Sequence, residues 1–341
     1  MPEEIIKIDH SLYKNQEQLI RLACSLSAAT RKPCHIFNIN PGLSGQSLFE
    51  AQSISKISNG RLEKDYLNSQ EIRFFPGDIL GKNFSFKIDT ATSASLILSS
   101  LMLPVLFLDK GNSAPFKITI NGGATDTFFA PTMDYFKEVF LKILEKMNIK
   151  TELSILKRGY YPEGGAKLEM KIFPGRSKSL KMGERGNLQK IKIISGASES
   201  LKDKNTAERQ FAGAREILGS LKLPIEEKIE YYPTESPGNQ ICISAEFENT
   251  VIGADGLGTM GKRTEDLGKE TATEFLQEAK STACLDKNML DQVLPIMALS
   301  KKSSVTASQI TEAAKINIQI IEKFIRGKFK VKGNLVSWEM L

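Results

Sequence analysis

Apolar residues recur along the chain with two different periods, and the segments that carry each period alternate. Leu19, Leu22, Ala23 and Leu26 follow the spacing i, i+3, i+4, i+7, which predicts one face of an amphipathic helix. Short runs rich in Ile, Phe and Val predict strands between such helices. Up to residue 184 the predicted strands are Ile5–Asp9, His35–Ile39, Glu71–Phe75, Phe84–Ile88, Phe116–Ile120, Thr151–Leu156 and Ala166–Phe173, and further helices are predicted at Ser95–Leu103 and Asp134–Met147. This alternation predicts an α/β (α+β) protein.

Two similar strand ends indicate a duplicated unit. Phe75-Pro76-Gly77 and Phe173-Pro174-Gly175 each close a predicted strand, and they lie 98 residues apart. The order of strands and helices before each of them also repeats. We therefore expect a unit in which two helices pack on one face of a small sheet.

The pattern changes near Arg185. Strands are predicted at Leu188–Ile194, Ile229–Tyr232 and Gln240–Phe247, with helices at Thr206–Leu221 and Arg263–Ala279. The last segment, with two helices (289–299 and 310–325) and two short strands, resembles half of the earlier unit. The prediction is a large domain of residues 1–184 and 283–341, with units at about 1–80, 81–178 and 283–341, and a smaller inserted α/β domain at 185–282.

Composition excludes several classes of protein. With 41% hydrophobic and 25% charged residues, the chain matches ordinary globular proteins and not disordered ones. Its most apolar stretch, Leu96–Leu108, is interrupted by serines and Pro104 and is too short to cross a bilayer, so no membrane partner is expected. Four cysteines without CxxC spacing and two histidines do not predict a metal site. Reduced thiols and the absence of a signal-peptide pattern predict an intracellular protein, cytoplasmic or, in a eukaryote, nuclear.

The charge distribution leans mildly towards nucleic acid. The formal net charge is +6, and Arg176–Lys192 and Lys301–Leu341 are both rich in Lys and Arg. Such stretches suit phosphate backbones, although a solvated surface is the more common explanation for charge.

Four motifs are candidates for chemistry or for turns. Arg158–Gly165, with its Tyr-Pro and paired glycines, suits a phosphate loop, although a plain β-turn is favoured. Asn121–Asp126 is open between a turn and a ligand loop. Gly253–Gly258 fits no nucleotide-binding pattern and predicts a flexible loop. Asp291-Gln292 begins a predicted helix, where capping and a functional role are equally favoured.

In order along the chain, these pieces resemble the RNA 3′-terminal phosphate cyclase family. The matching stretches are Ile8-Asp9, Gln18–Arg21, Pro41-Gly42-Leu43 with Gln46, Asn68–Gln70 to Phe75–Gly77, Gly122-Gly123, Ala130-Pro131, Arg158–Gly165, Glu184–Asn187, Pro237–Asn239, Lys262-Arg263 with Glu265, and Asp291-Gln292 with Leu294-Pro295 and Met297-Ala298. The resemblance covers nearly the whole chain, and the ordered set is specific although no single motif is.

The resemblance implies a large domain of repeated β-α-β-α-β-β units with a smaller α/β domain inserted between the second and third. It also implies an ATP-dependent activity in which a histidine takes AMP, the AMP passes to an RNA 3′-phosphate, and the neighbouring 2′-hydroxyl closes a 2′,3′-cyclic phosphate. A covalent intermediate divides one difficult step into two, and Mg²⁺ would neutralise phosphate charge. The residues implied to bind RNA or nucleotide are Gln18, Arg21, Gln46, Pro131, Asp291 and Gln292.

The sequence departs from the family pattern where the chemistry is expected. The nucleophilic histidine belongs in a His-x-x-Thr-Asn context, and the equivalent stretch here, Ala313–Asn317, begins with Ala313. The glycine run expected before Gln18 is absent, as is the arginine-bearing stretch before Pro41. No catalytic residue is therefore assigned, and no cofactor is expected beyond ATP and Mg²⁺ if activity is retained.

Three functions remain open. The favoured one is an RNA-binding protein with the cyclase fold that has lost adenylylation. The second is an active cyclase with a different nucleophile, for which His10, Lys14 and Lys315 are candidates. The third is a structural paralogue that does not bind RNA. Neither the RNA partner nor the oligomeric state follows from the sequence.

Overall fold

The structure is a computed structural model and describes residues 4–13, 17–108, 114–173, 175, 177–219 and 224–341. Within these residues the strands form four sheets of four strands each, and helices pack against them. The predicted fold class, mixed α/β, is confirmed.

The first sheet is built from a β-α-β-α-β-β segment. Its elements are β1 (Ile6–Asp9), α1 (Gln18–Thr30), β2 (Cys34–Phe37), α2 (Gly45–Ile57), β3 (Arg61–Glu63) and β4 (Ile72–Phe75). The strand order is β1-β2-β4-β3, with β1 parallel to β2 and the other pairs antiparallel. The apolar face predicted for α1 is buried, because Leu19, Leu22, Ala23 and Leu26 are all at most 7% exposed.

The second sheet repeats this order. Its elements are β5 (Asn83–Ser93), α3 (Ala94–Leu106), β6 (Phe116–Ala124), a continuous helix made of α4 (Met133–Tyr135), a π-helical turn (Phe136–Phe140) and α5 (Leu141–Lys146), then β7 (Thr151–Lys157) and β8 (Lys167–Ile172). The strand order β5-β6-β8-β7 matches that of the first sheet position by position. Both units therefore place their two helices between equivalent strands.

A short strand and a second kind of sheet follow. β9 (Lys181–Met182) precedes a segment containing β10 (Leu188–Ser198), α6 (Thr206–Leu218), β11 (Ile225–Tyr232), β12 (Asn239–Phe247), β13 (Val251–Leu257) and α7 (Thr264–Lys280). These four longer strands form their own sheet in the order β11-β10-β12-β13. Most of their buried apolar side chains form a hydrophobic cluster separate from the one shared by the other three sheets.

The last sheet draws strands from both sides of that segment. α8 (Leu290–Met297), β14 (Lys302–Thr306), α9 (Glu312–Phe324), β15 (Gly327–Lys332) and β16 (Leu335–Met340) complete it, and β9 pairs in parallel with β14. The strand order is β9-β14-β16-β15, so the third unit has the topology of the first two. The division into domains at residues 185 and 282 stays a prediction.

Several elements were missed or placed wrongly by the sequence analysis. Helix α2 and strands β3, β9 and β14 were not predicted. Gly253–Gly258 is not a flexible loop, because all but its last residue lies in β13. Asn121–Ala124 continues β6 and is not a loop after it. The described residues do not include Pro174, in the second of the two similar strand ends, or Arg176, the first residue of a basic stretch.

The glycines of β6 permit a close approach of backbones. A Cβ on Gly122, whose φ is +93°, would lie 1.8 Å from the carbonyl oxygen of Ile88 in β5. Gly164, with φ +73°, approaches the carbonyl of Gly123 in the same way, at 2.5 Å. The two glycine motifs singled out in the sequence therefore pack against each other, and this contact explains their glycines without a ligand.

Candidate functional site

A cleft opens where the units meet. It is bounded by the first turns of α1, by α3, α8 and the start of α9, by β13, and by the turn that connects β6 to α4. Its volume of about 370 Å³ is within the range of small-molecule sites. Its lining residues include Gln18, Arg21, Phe129, Pro131, Tyr135, Asp255, Lys287, Asp291, Gln292, Thr311 and Ala313. Five of the six residues proposed for RNA or nucleotide are thus brought together.

Helix α1 aims two polar side chains into the cleft from its first turn. Gln18 and Arg21 are three residues apart and so share a helix face. The Nη1 atom of Arg21 lies 3.3 Å from Oε1 of Glu50, whose side chain is only 1% exposed. Burial raises the pKa of Glu50, and Arg21 opposes the shift. The rest of the guanidinium borders the cleft, where its planar fork could meet a phosphate.

Gln46, the sixth proposed residue, does not line the cleft. Its Nε2 donates to Oε1 of Glu50 at 2.6 Å, and its Oε1 accepts from the backbone N–H of Ser93 at 2.8 Å. Gln46 therefore connects the partner of Arg21 to the start of α3. It can act on a ligand in this cleft only by positioning Arg21.

Two partly buried carboxyl groups border the cleft and have raised pKa values. Burial raises the pKa of Asp291 to about 6, and the nearby Arg21 opposes the shift. Burial likewise raises the pKa of Asp255 to about 6, although its Oδ2 accepts from the backbone N–H of Thr132 at 2.6 Å. Both groups are mostly ionised at neutral pH and mostly neutral near pH 5, so the charge of the cleft changes in this range.

Ala313 borders the same cleft as Gln18, Arg21 and Gln292. It lies in the first turn of α9, whose N-cap is Thr311, since the Thr311 hydroxyl accepts from the backbone N–H of Ala314 at 3.1 Å. A longer side chain at this position would extend from a helix start, where the helix dipole favours anions. That Ala313 replaces the family's nucleophile stays a prediction.

In the described part of the chain, neither histidine lines the cleft, and neither does the replacement candidate Lys315. His10 is 2% exposed in the turn after β1, and His35 is 2.7 Å from Glu71; neither is among the described residues that line the cleft. Lys315 is exposed and paired with Glu312 at 2.6 Å. Lys14 lies outside the described residues.

Lys287 is a cleft residue that the sequence analysis missed. Its Nζ lies 2.8 Å from Oε1 of Glu274, and this hydrogen bond raises the pKa of Lys287 above its usual value. The group is therefore held as an ammonium ion, which attracts phosphate but is a poor nucleophile. Asp255 and Phe129 were also missed. Asp255 lies in the Gly253–Gly258 stretch, which the sequence analysis interpreted as a flexible loop, and Phe129 comes directly before the matching stretch Ala130-Pro131 but was not itself singled out.

A narrower cavity continues from the floor of the cleft between α1, α3, α8 and α9. Its walls are largely apolar, with Leu22, Leu103 and Ile296 among them. Asn317 also lines it; its Nδ2 donates to the carbonyl of Asp291 at 3.0 Å, whereas its buried Oδ1 has no hydrogen-bond partner in the described structure. A bound water or a donor group of a ligand would satisfy this atom.

The basic C-terminal segment is partly neutralised by its own carboxylates. Lys315 and Lys328 pair with Glu312 and Glu322 at 2.6 Å each, and Lys302 and Lys330 both lie within 4 Å of Glu339. Exposed pairs of this kind are weak, but they leave less net charge than the sequence indicates.

The described residues contain no group of three or more His, Cys, Asp or Glu side chains placed to hold a metal ion. None of the described helices has both the length and the apolar character needed to span a bilayer.

The fold and the cleft together define the class: an α/β protein with three β-α-β-α-β-β units, a fourth sheet, and a polar cleft bearing Arg21 and Lys287. The chain belongs to the RNA 3′-terminal phosphate cyclase family, whose pattern it matches over residues 14–331. It is 36% identical to an RNA 3′-terminal phosphate cyclase of Sulfurisphaera tokodaii over 96% of both chains. It is also 36% identical to one of Pyrococcus furiosus, over 97% of this chain and 96% of the relative. The cyclase of Methanothermobacter thermautotrophicus is 35% identical, over 96% of this chain and 97% of the relative. The predicted resemblance is confirmed.

Proposed function

We propose that this protein binds the 3′ end of RNA in the cleft and does not perform the adenylylation step. The observation that carries the proposal is Ala313, which borders the cleft beside Arg21 and Gln292. Both histidines of the chain lie in the described part, and neither borders the cleft.

Adenylylation needs an acceptor that is nucleophilic near neutral pH. Lys287 is the one amine among the described cleft residues, and Glu274 holds it protonated. Lys315 is exposed and ion-paired, so it lacks the desolvation that makes a lysine nucleophilic. Of the candidate residues in the described part of the chain, none is therefore suited to accept AMP.

Binding of RNA is supported by the cations that remain. Arg21 can offer a planar fork to a terminal phosphate, and Lys287 adds a second positive charge on the same cleft. Contacts with phosphate release counterions, so affinity for single-stranded RNA should fall as salt rises.

The first test is incubation with Mg²⁺ and ATP radiolabelled at the α-phosphate, followed by denaturing electrophoresis. We expect no labelled protein. Labelling would overturn the loss of adenylylation, and Lys14→Ala and Lys315→Ala would then identify the acceptor. The variant Ala313→His returns an imidazole to the cleft, and labelling of that variant alone would show that only the acceptor is missing.

The second test compares an oligonucleotide carrying a 3′-phosphate with its 3′-hydroxyl counterpart. Arg21→Ala should weaken binding of the phosphorylated form by about tenfold more, the size of a lost charge-assisted hydrogen bond. Because Arg21 also pairs with buried Glu50, Lys287→Ala serves as a second variant that leaves this pair intact. Exposed Arg61, outside the cleft, provides the control Arg61→Ala. Equal losses on both oligonucleotides would contradict recognition of the end.

The second candidate function is an active ATP-dependent cyclase with a different nucleophile. It is favoured by the similarity of the chain to RNA 3′-terminal phosphate cyclases and by Asp255 and Asp291, since Mg²⁺ takes one or two carboxylates together with substrate phosphates. Formation of a 2′,3′-cyclic end from a 3′-phosphorylated RNA would establish it. Absence of any RNA binding at low salt would favour the third candidate, a structural paralogue.

An intracellular location, cytoplasmic or nuclear, is part of this proposal, since it is where RNA ends of this kind would be met.

A further inference from the structure

Phe129 presents its ring to solvent at the mouth of the cleft. The residue is fully exposed, at 104% of its reference area, and it borders the cleft with Arg21 and Ala313. Isolated exposed apolar residues are common and need no explanation by themselves. Phe129 differs from such residues in its backbone conformation and in the way its turn is held.

The backbone at Phe129 is in a conformation that suits glycine or asparagine. Its φ is +61°, in the left-handed region that bulky L-residues seldom adopt. A buried aromatic ring could compensate for such strain by packing, but this ring makes no such contribution because it is fully exposed. Strained residues of this kind cluster at ligand-binding sites.

The turn that carries Phe129 is anchored at both ends. On one side, Asp126 accepts from Arg158 at 3.0 Å and from the backbone N–H of Met133 at 3.1 Å. On the other, Ser95 donates to the carbonyl of Pro131 at 2.8 Å, and the Thr132 N–H donates to Asp255 at 2.6 Å. The ring is therefore presented by a fixed segment, which reduces the entropy lost when a ligand binds.

The neighbouring Phe128 differs from Phe129. Its ring packs edge-on against Tyr161, with centroids 6.4 Å apart, and so supports the turn. Phe129 has no corresponding ring contact in the described structure. An aromatic face left open beside cationic side chains is the combination by which proteins hold single-stranded nucleic acid, because every base can stack on it.

We propose that Phe129 is a stacking platform for a base of the single-stranded RNA whose 3′ end enters the cleft. The inference rests on the proposed RNA binding, with Arg21 and Lys287 holding phosphate and Phe129 holding a base near it. Because a stacked base needs only its π-face, the platform adds affinity without sequence preference.

The test uses RNA oligonucleotides with 2-aminopurine placed at successive positions from a 3′-phosphate. Binding to the wild type should quench the fluorescence at one position, and Phe129→Leu should remove this quenching and weaken binding by about fivefold or more. Phe129→Trp should retain both the 2-aminopurine quenching and the affinity. RNA should also quench the fluorescence of the new indole, and this signal is easy to distinguish because the one natural tryptophan, Trp338, is buried. Leu80→Ala, at an exposed apolar residue outside the cleft, should change nothing.

The outcomes separate this inference from the function beneath it. If wild type binds RNA with an affinity that depends on Lys287, and Phe129→Leu binds equally well, the platform is wrong and RNA binding stands. If ATP quenches Phe129→Trp and RNA does not, the platform is likewise wrong for RNA. If wild type binds no RNA at low salt, both proposals fail. Unchanged thermal unfolding of Phe129→Leu would exclude misfolding as the cause of a loss.

Discussion

Replacing Arg158 by methionine should destabilise the protein far more than a typical substitution. The Arg158 side chain is 4% exposed, and its Nη1 and Nη2 lie 3.0 Å from Oδ2 of Asp126 and 2.5 Å from Oδ1 of Asp134. Both carboxylates are themselves almost fully buried, and the guanidinium also stacks on the ring of Tyr232, 4.6 Å from its centroid.

The expected size follows from what the substitution leaves behind. Methionine retains most of the apolar volume, so little of the loss comes from a cavity. Two buried carboxylates lose their cation, however, and breaking a buried ion pair by removing one partner costs about 3–5 kcal/mol. Burial already raises the pKa of Asp126 with Arg158 beside it, so without Arg158 this pKa would rise further and proton uptake by the carboxyl would become easier. This proton uptake limits the loss, and we expect about 3 kcal/mol at pH 7.5.

Urea unfolding monitored by circular dichroism measures this difference. Lys157→Met is the matched control: the adjacent lysine forms an exposed pair with Glu235 at 2.7 Å, so its loss should cost less than about 1 kcal/mol. Adding Asp126→Asn and Asp134→Asn to Arg158→Met should recover part of the stability, because no unpaired charge then remains buried. A loss for Arg158→Met no larger than that of the control would refute the reasoning.

Two further predictions concern stability. Burial raises the pKa values of Asp255 and Asp291 to about 6 and of Asp286 to about 7. In the unfolded chain an aspartate has a pKa of about 3.9. Between the unfolded and the folded pKa, the folded chain therefore binds more protons than the unfolded chain. The free energy of unfolding should therefore fall from pH 5.5 to 7.5, by an amount on the order of 3 kcal/mol, and urea titrations that show it rising would contradict the burial argument. Gly268→Ala should destabilise by about 1–3 kcal/mol although alanine favours helices, because its Cβ would lie 1.9 Å from the carbonyl oxygen of Gln210 on the adjacent helix. Calorimetry that shows an unchanged or higher melting temperature would contradict the close packing of α6 on α7.

The local pattern of the sequence determined where many of the strands and helices form. Leu19, Leu22, Ala23 and Leu26 share one helical face by spacing alone, and that face is buried whatever it packs against. The collinear motifs likewise determined the family, which the match over residues 14–331 confirms. Elements with weak apolar patterns were missed, and β9 is an example, since a strand of two residues exists only because β14 pairs with it.

Which residues meet in the cleft was decided by tertiary structure. Asp255 comes from β13, Lys287 from the segment before α8, and Phe129 from a turn after β6, so their proximity has no counterpart in sequence spacing. The same holds for Arg158, whose motif suggested either a phosphate loop or a turn. Asp126 and Asp134 enclose its guanidinium, so this group is not available to bind RNA. The two carboxylates reach Arg158 only because the chain folds distant segments together. The spacing of residues along the chain specifies which side chains share a face of one helix or strand. The ion-pair partner of a charged group, and the burial that shifts its pKa, depend instead on which distant segments pack around it.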